Sequence, residues 1–227
     1  MARSTLRTLA LAAVLALAGI GSVLGAGRGA EGLLAPPDTI EVGDGERAAG
    51  PRYAPGVAAG DRAWIEAAIA SSRPEALPLI GEIDGLVEFR THVGAPLGVT
   101  RSEISRDGAS AVISLDISQL NGRRAIDREM TVLHELGHAI DFMVVEQALN
   151  DRLEAGIPRT GTCNADAQGL SGSCTEPAER FADTFAKWAL NGRVSALGAG
   201  YGVANPPSLD AWGAPLALLG IELAHGR

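Results

Sequence analysis

The sequence has little positive charge, few aromatic residues and almost no lysine. It carries 19 lysine and arginine residues against 27 aspartate and glutamate residues, which gives a net charge of -8. Lys187 is the single lysine. Because nucleic-acid phosphates bind to basic patches, this balance argues against nucleic acid as a partner. With only 4% aromatic residues, the core must consist largely of leucine, isoleucine, valine and alanine.

Cysteine is also scarce, since Cys163 and Cys174 are the only two in the chain. Both lie in a loop-rich stretch over residues 151–175. In an exported protein an even pair predicts a disulfide. Two free thiols are the alternative, and a metal site built on both cysteines fits less well because their spacing is wide. Neither lies near the N-terminus, which excludes lipid attachment there.

One long apolar run exists, over residues 8–24, and it follows Arg3 and Arg7. A basic segment, an apolar run and small residues together predict a signal peptide over residues 1–26. An uncleaved anchor is the alternative, although the run is slightly short of the ~20 residues that span a membrane. In both cases we expect the remaining chain to be secreted or otherwise extracytoplasmic.

The composition divides the rest of the chain into two parts. Residues 27–60 are rich in glycine and proline, which predicts a flexible spacer or a lightly ordered N-terminal arm. Residues 61–227 are long enough to form one domain with a real core. The hydrophobic patterns predict helices near 61–71, 124–150, 177–190 and 208–223, and strands over 86–93 and 111–117. The expected fold is therefore α+β, mainly helical with a small sheet, and the sequence indicates no oligomeric state.

The central motif reads HELGH over residues 134–138, within the predicted helix 124–150. On a helix this HExxH spacing places His134 and His138 on one face. One zinc ion can then bind both rings at about 2.0–2.1 Å, and Glu135 is placed to act as general base on a water molecule. The alternative is a pair of core histidines satisfied by hydrogen bonds.

A catalytic zinc site needs a third protein ligand. The longer pattern HExxHxxGxxH is absent, because Asp141 and Val144 occupy its remaining positions. Glu179 is the strongest candidate, since the loop before the helix 177–190 lets that helix pack beside the motif helix. Glu176 is the alternative ligand. Both glutamates could instead serve as carboxylates that stabilise a helix start.

Two aspartates are expected to support the ligands. Asp183 lies one helical turn after Glu179 and could accept the second ring N–H of a ligating histidine. The alternative for Asp183 is a position on a solvated helix face. Asp141 lies one turn after His138, and we expect it to brace the site or a neighbouring loop.

The segments HELGHAID, residues 134–141, and ERFADTF, residues 179–185, resemble the gluzincin metallopeptidases. The resemblance is greatest to the catalytic domain of anthrax lethal factor, the secreted Pro-Pro endopeptidases and the Mlc titration factor group. It implies a zinc ion held by both motif histidines and Glu179, with Glu135 as the base. It also implies a zincin-like domain in which the HExxH helix packs against a second, Glu-bearing helix.

The chain differs from that subgroup at two places. Asp183 stands where the subgroup often has glutamate, and no tyrosine shortly precedes Glu179, where lethal factor-like enzymes have their oxyanion donor. The chain has two tyrosines, Tyr53 and Tyr201. Tyr201 is therefore the first choice for a donor that stabilises the oxyanion, and His225 is the second.

These features together predict a secreted or surface-held zinc-dependent endopeptidase that acts on a peptide or protein substrate. An extended substrate could pair with the strand 111–117 as an added strand. The alternative is an exported zinc-binding interaction module without turnover, which the missing tyrosine favours and Glu135 opposes. A third possibility is a membrane-anchored structural domain in which the motif is accidental.

Overall fold

The computed structural model of the chain describes residues 50–105, 108–159, 176–193 and 203–225. Several predicted features lie outside these residues: the signal peptide over 1–26, spacer residues 27–49, Cys163, Cys174 and Tyr201. The disulfide and the first-choice oxyanion donor therefore stay predictions. None of the helices in the described ranges is long and apolar enough to cross a membrane.

Four strands form one sheet in the described residues. They are β1 (Arg52–Tyr53), β2 (Val87–His92), β3 (Gly98–Ser105) and β4 (Gly108–Asp116). Their order across the sheet is β1-β2-β4-β3. The strands β1, β2 and β4 run parallel, whereas β3 runs antiparallel to β4. Among the described strands, β3 is thus an edge strand that runs against all the others.

The predicted strands over 86–93 and 111–117 are confirmed by β2 and β4. The sequence did not predict β3, because its two apolar residues, Val99 and Ile104, fall on opposite faces and leave no apolar face. The pairing of Arg52 with Glu88 places β1 in the sheet. The folded unit therefore begins before position 61, its predicted start.

Seven α-helices and one turn of 3-10 helix accompany the sheet in the described residues. The helices are α1 (Ala59–Ala70), α2 (Leu77–Glu82), α3 (Ile117–Leu120), α4 (Arg128–Met143), α5 (Gln147–Ala155), α6 (Pro177–Ala189) and α7 (Leu209–His225), and the 3-10 turn is Ala125–Asp127. The helices predicted near 61–71, 177–190 and 208–223 are confirmed by α1, α6 and α7. The mixed, mainly helical architecture with a small sheet is confirmed as well.

The prediction of a single long helix over 124–150 is wrong, because the helix is interrupted between α4 and α5. Val144 ends α4 with a φ of -119°, and Glu146 adopts an extended conformation with a ψ of 146° before α5 begins. Val144 and Val145 are β-branched, and such residues lose side-chain freedom in a helix. The backbone N–H groups of both valines donate to the carbonyl of Ile140, which closes the end of α4.

Helix α4 forms the centre of the core, since it contacts β3 and β4 on one side and α6 on another. Its own apolar residues are aliphatic, and Val132, Leu133 and Ile140 are fully buried. Helix α6 supplies aromatic rings, with Phe181 and Phe185 stacked at 6.3 Å between centroids. Every residue of α6 from Glu179 to Ala189 is buried. The two helices that carry the predicted ligands therefore lie in the buried core of the described residues.

Candidate metal centre

The two motif histidines lie side by side on α4. His134 and His138 have ring centroids 4.8 Å apart and planes at 85° to each other. Their Nε2 atoms are separated by 3.2 Å. The side chain of His134 is 5% exposed and that of His138 is 17% exposed. The i,i+4 spacing thus brings two imidazole nitrogens to one point, with the second ring nearer the surface.

Glu179 reaches the same point from α6. Its Oε2 atom lies 3.1 Å from Nε2 of His134 and 3.4 Å from Nε2 of His138. The structure therefore brings the three predicted ligands together. Glu176, the alternative ligand, is the exposed N-cap residue of α6 and does not belong to the group.

The distances between the three ligand atoms fit a metal ion. They form a triangle with edges of 3.1, 3.2 and 3.4 Å. Ligand atoms about 2.0–2.1 Å from a tetrahedral ion lie about 3.3–3.4 Å from one another, so the triangle matches one face of such a tetrahedron. Within the described residues no fourth histidine, cysteine or carboxylate joins the group. The group can hold a metal ion through three protein ligands.

The site shifts the pKa values of Glu179 and His138. Burial alone would raise the pKa of Glu179, but hydrogen bonds from His134 and His138 lower that pKa to about 2. Burial would lower the pKa of His138, whereas its hydrogen bond to Glu179 and the nearby charge of Glu135 raise it. Glu179 is thus held as a carboxylate, which is the form that binds a metal ion.

A close contact between α4 and α6 positions Glu179 beside the histidines. A Cβ atom added to Gly137 would lie 3.0 Å from Cα and 3.2 Å from the carbonyl oxygen of Ala182. Only a glycine therefore fits at this crossing without moving α6. The sequence offered one signal for this contact, namely a glycine in the interior of an apolar helix. It could not indicate which segment packs there.

Glu135 points from α4 towards the edge strand β3. The Thr100 hydroxyl lies 2.7 Å from Oε2 of Glu135 and donates a hydrogen bond to it. A Cβ atom added to Gly98 would lie 2.4 Å from Oε1 of the same carboxylate. Glu135 is 3% exposed. Sequence reasoning missed Gly98 and Thr100, because no local pattern links a strand residue to a helical partner far along the chain.

A cleft of about 540 Å³ opens over the centre. The predicted base and two of the predicted ligands line it, namely Glu135, His138 and Glu179. Its other described walls come from β3, the C-terminal end of α4, the connection after it, and the starts of α5 and α6. The residues are Val99, Thr100, Ser102, Asp141, Phe142, Val145, Gln147, Asn150 and Ala178. A substrate in this cleft would therefore meet the metal ligands and the predicted base together.

Asp141 braces two helices at the rim of the cleft. Its carboxylate accepts a hydrogen bond from the side-chain amide of Asn150, which belongs to α5. Burial raises the pKa of Asp141, while the Asn150 hydrogen bond and the nearby His138 act in the opposite direction. The contact joins the C-terminal end of α4 to α5 across the short non-helical connection between them.

Asp183 is fully buried on α6, so the alternative of a solvated helix face is wrong. Its carboxylate forms an ion pair with Lys187 at 2.6 Å. The Lys187 ammonium also donates to the carbonyl of Val203 at 2.6 Å. The single lysine of the chain is therefore buried and fixes Asp183 from one side. The predicted role of Asp183 in orienting a ligating histidine stays a prediction.

Two further expectations are wrong. His225, the second choice for an oxyanion donor, lies exposed at the end of α7, where its Nδ1 is 2.7 Å from the carbonyl of Ile221. It does not line the cleft. The strand over 111–117 cannot accept a substrate as an added strand, because β4 already pairs with β2 and with β3. The described sheet has two edge strands, β1 and β3, and of these β3 lines the cleft.

Comparisons of the chain with protein families, curated proteins and solved structures find no match. The description of the centre therefore depends on the positions of its own residues. The likeness to gluzincins stays an expectation drawn from the two motifs, residues 134–141 and 179–185.

Proposed function

We propose that the chain is a secreted or surface-held, zinc-dependent endopeptidase of the gluzincin type. The zinc ligands are His134, His138 and Glu179, and the general base is Glu135. One observation carries the proposal: ligand atoms from two separate helices meet in a triangle of metal-binding size, in a cleft that also holds a buried glutamate. A peptide or protein is the substrate.

The donor set favours zinc and a catalytic use of it. Two imidazole nitrogens and one carboxylate oxygen are the three protein ligands of a common type of catalytic zinc site, whereas structural zinc sites are closed by four protein ligands. When bound, zinc polarises a carbonyl oxygen and lowers the pKa of a water molecule towards 7. The exposure of His138 and Glu179 to the cleft supports such an open site.

Glu135 performs the proton transfers in this proposal. Its carboxylate takes a proton from the attacking water and later delivers a proton to the leaving amine. Its place in the cleft wall, beside His138, supports this role. A metal site without turnover has no need of a glutamate at this position. Tyr201 remains the proposed donor to the oxyanion.

The edge strand β3 is the proposed support for an extended substrate. The backbone N–H of Asp116 donates to the carbonyl of Leu97. Because the hydrogen-bonding direction alternates along an antiparallel strand, the backbone groups of Val99 also face β4, while those of Thr100 and Ser102 face the open edge. Both of the latter line the cleft. A peptide paired along them as an added strand would cross the centre.

This arrangement also supports a zincin-like fold. The HExxH helix α4 packs against the Glu-bearing helix α6, and a sheet strand lies beside the site. The packing of these two helices is the feature that the resemblance to gluzincins implies. We infer that the described residues form the catalytic domain of such a peptidase.

The test is peptide cleavage by the purified, zinc-loaded protein, with and without a chelator. We expect cleavage of unstructured peptides that the chelator abolishes and added zinc restores. The variant Glu135→Gln should keep zinc and lose cleavage. Full cleavage by this variant would reject Glu135 as the base. Zinc binding without cleavage of any peptide in a broad library would instead select the zinc-binding interaction module.

A further inference from the structure

We infer that Thr100 is a positioning residue that holds the carboxylate of Glu135 in the cleft, a role that rests on the proposed function. Thr100 belongs to β3, and Glu135 belongs to α4. The strand residue thus contacts the carboxylate of a glutamate that belongs to the neighbouring helix. Three features of the molecule support this role: a hydrogen bond between the two side chains, the absence of a side chain at Gly98, and the direction of the backbone groups of β3.

The hydrogen bond fixes one oxygen of the carboxylate. The Thr100 hydroxyl lies 2.7 Å from Oε2 of Glu135 and 3.0 Å from the backbone carbonyl oxygen of the same residue. The hydroxyl has a single proton, and donation to the charged carboxylate gives the stronger bond. Threonine is β-branched and stiff at χ1, so the strand backbone determines where the hydroxyl points.

The shape of β3 limits the other oxygen. A Cβ atom at Gly98 would lie 2.4 Å from Oε1 and 2.9 Å from Cδ of Glu135. The carboxylate therefore occupies the space that a side chain at this position would fill. With Thr100 bonded to one oxygen and the glycine backbone beneath the other, β3 determines both the place and the orientation of the carboxylate.

The direction of the backbone groups separates two roles of Thr100. Its side chain contacts Glu135, whereas its N–H and carbonyl groups face the open edge where the proposed substrate pairs. Removing only the hydroxyl leaves those backbone groups in place. Loss of the hydroxyl should therefore slow the chemical step without weakening substrate binding.

The experiment compares Thr100→Val and Thr100→Ser with wild type in steady-state peptide cleavage by the zinc-loaded protein. Valine keeps the shape and removes the hydroxyl, so we expect kcat to fall about 10- to 100-fold. KM should stay within about threefold of wild type, because uniform binding is unchanged. Serine keeps the hydroxyl and should restore most of kcat. The matched control is Thr91→Val in β2, which should leave both constants unchanged.

A second variant acts on the other oxygen. Gly98→Ala should displace the carboxylate, since the clashing atoms are the end of a flexible side chain that can rotate away. We expect a lower kcat with the fold and the zinc content retained. An unchanged kcat in both Thr100→Val and Gly98→Ala would overturn the inference. So would an equal loss of kcat in Thr100→Val and Thr100→Ser.

Crystal structures of the zinc-loaded wild type, Thr100→Val and Thr100→Ser provide a readout that does not depend on turnover. We expect the Glu135 carboxylate to rotate away from β3 in the valine variant and to keep its place in the serine variant. If the wild type cleaves no peptide, the proposed function fails, and these structures still decide the positioning role. An unmoved carboxylate in Thr100→Val would overturn that role.

Discussion

The two walls of the cleft hold their functional groups in different ways. On the helical wall, α4 and α6 meet through Gly137 and Ala182 and fix the metal ligands by dense packing. On the strand wall, β3 has one neighbour among the described strands. It fixes Glu135 through the Thr100 hydroxyl and through Gly98, which leaves room for the carboxylate. Ile104 of β3 is 78% exposed, whereas α6 is buried throughout from Glu179 onwards.

The proposed roles of the two sets of groups account for this difference. Metal ligands must keep fixed distances, and close-packed interiors allow little displacement. A general base must exchange protons with water and substrate, so it needs access to the cleft and a limited range of orientations. The helical wall should therefore control metal affinity, and the strand wall should control the rate of the chemical step. Variants on the two walls can separate these two effects.

The largest effect is expected from the loss of a ligand on the helical wall. Glu179→Ala should weaken zinc binding by more than the ~10–100-fold that is typical when an outer partner of a ligand is lost. Zinc affinity is measured by competition with a chromophoric chelator. The matched control is Glu176→Ala, an exposed glutamate at the start of the same helix. A zinc affinity equal to that of wild type in Glu179→Ala would contradict the proposal that α6 supplies a metal ligand.

The second effect concerns Glu135, a residue of α4 whose carboxylate the strand wall holds in place. Glu135→Gln keeps the shape of the side chain and removes its basicity, so kcat should fall about 10²- to 10⁴-fold. Zinc content, measured by atomic absorption, should equal that of wild type. Glu129→Gln, which changes an exposed glutamate on the same helix, is the control. Loss of zinc in Glu135→Gln would contradict the division of roles between the two walls.

The third effect tests the packing of the helical wall. Gly137→Ala forces α6 to shift, and the cost of overpacking should exceed the ~1 kcal/mol gained in helix propensity. We expect the free energy of unfolding to fall by about 1 kcal/mol and zinc affinity to fall with it. Urea denaturation and chelator competition measure the two changes.

Gly81→Ala is the control for that substitution. Gly81 lies in α2, and a Cβ atom there meets nothing within 4 Å. It should stabilise the protein by about 0.5–1 kcal/mol, because alanine favours the helix. A stabilised Gly137→Ala variant with normal zinc affinity would show that the crossing of α4 and α6 is not tight.

The smallest effect is expected at the rim, where Asp141 joins α4 to α5. Asp141→Ala removes the hydrogen bond from Asn150 and should lower the free energy of unfolding by about 1 kcal/mol. Zinc affinity and kcat should change by less than about threefold, since no ligand or base is lost. Denaturation and cleavage assays measure both. A loss of zinc in this variant would place Asp141 closer to the metal than the structure does.

The same contrast explains what the sequence could predict. The helical wall was largely predictable, because the HExxH spacing and the helix that starts at Pro177 are local signals of period and capping. Glu179 could be selected by its chemistry and by its place on that helix. The contact at Gly137 could not, since the sequence does not show which helices cross.

The strand wall was not predictable, because its features depend on partners far along the chain. The segment 98–105 lacks an apolar face, so no periodic pattern indicates a strand there. The strand over 111–117 reads as a good strand, but its position inside the sheet is set by β2 and β3 rather than by its own residues. The interruption of the helix after Val144 had one weak signal in the sequence, namely the lower helix propensity of β-branched residues.

The most direct test of the centre is a crystal structure with anomalous data collected at the zinc absorption edge. We expect one strong peak at about 2.0–2.1 Å from Nε2 of His134, Nε2 of His138 and a carboxylate oxygen of Glu179. The remaining contact should be to a non-protein oxygen in the cleft. A peak at another place, or a fourth protein ligand that closes the site, would contradict it.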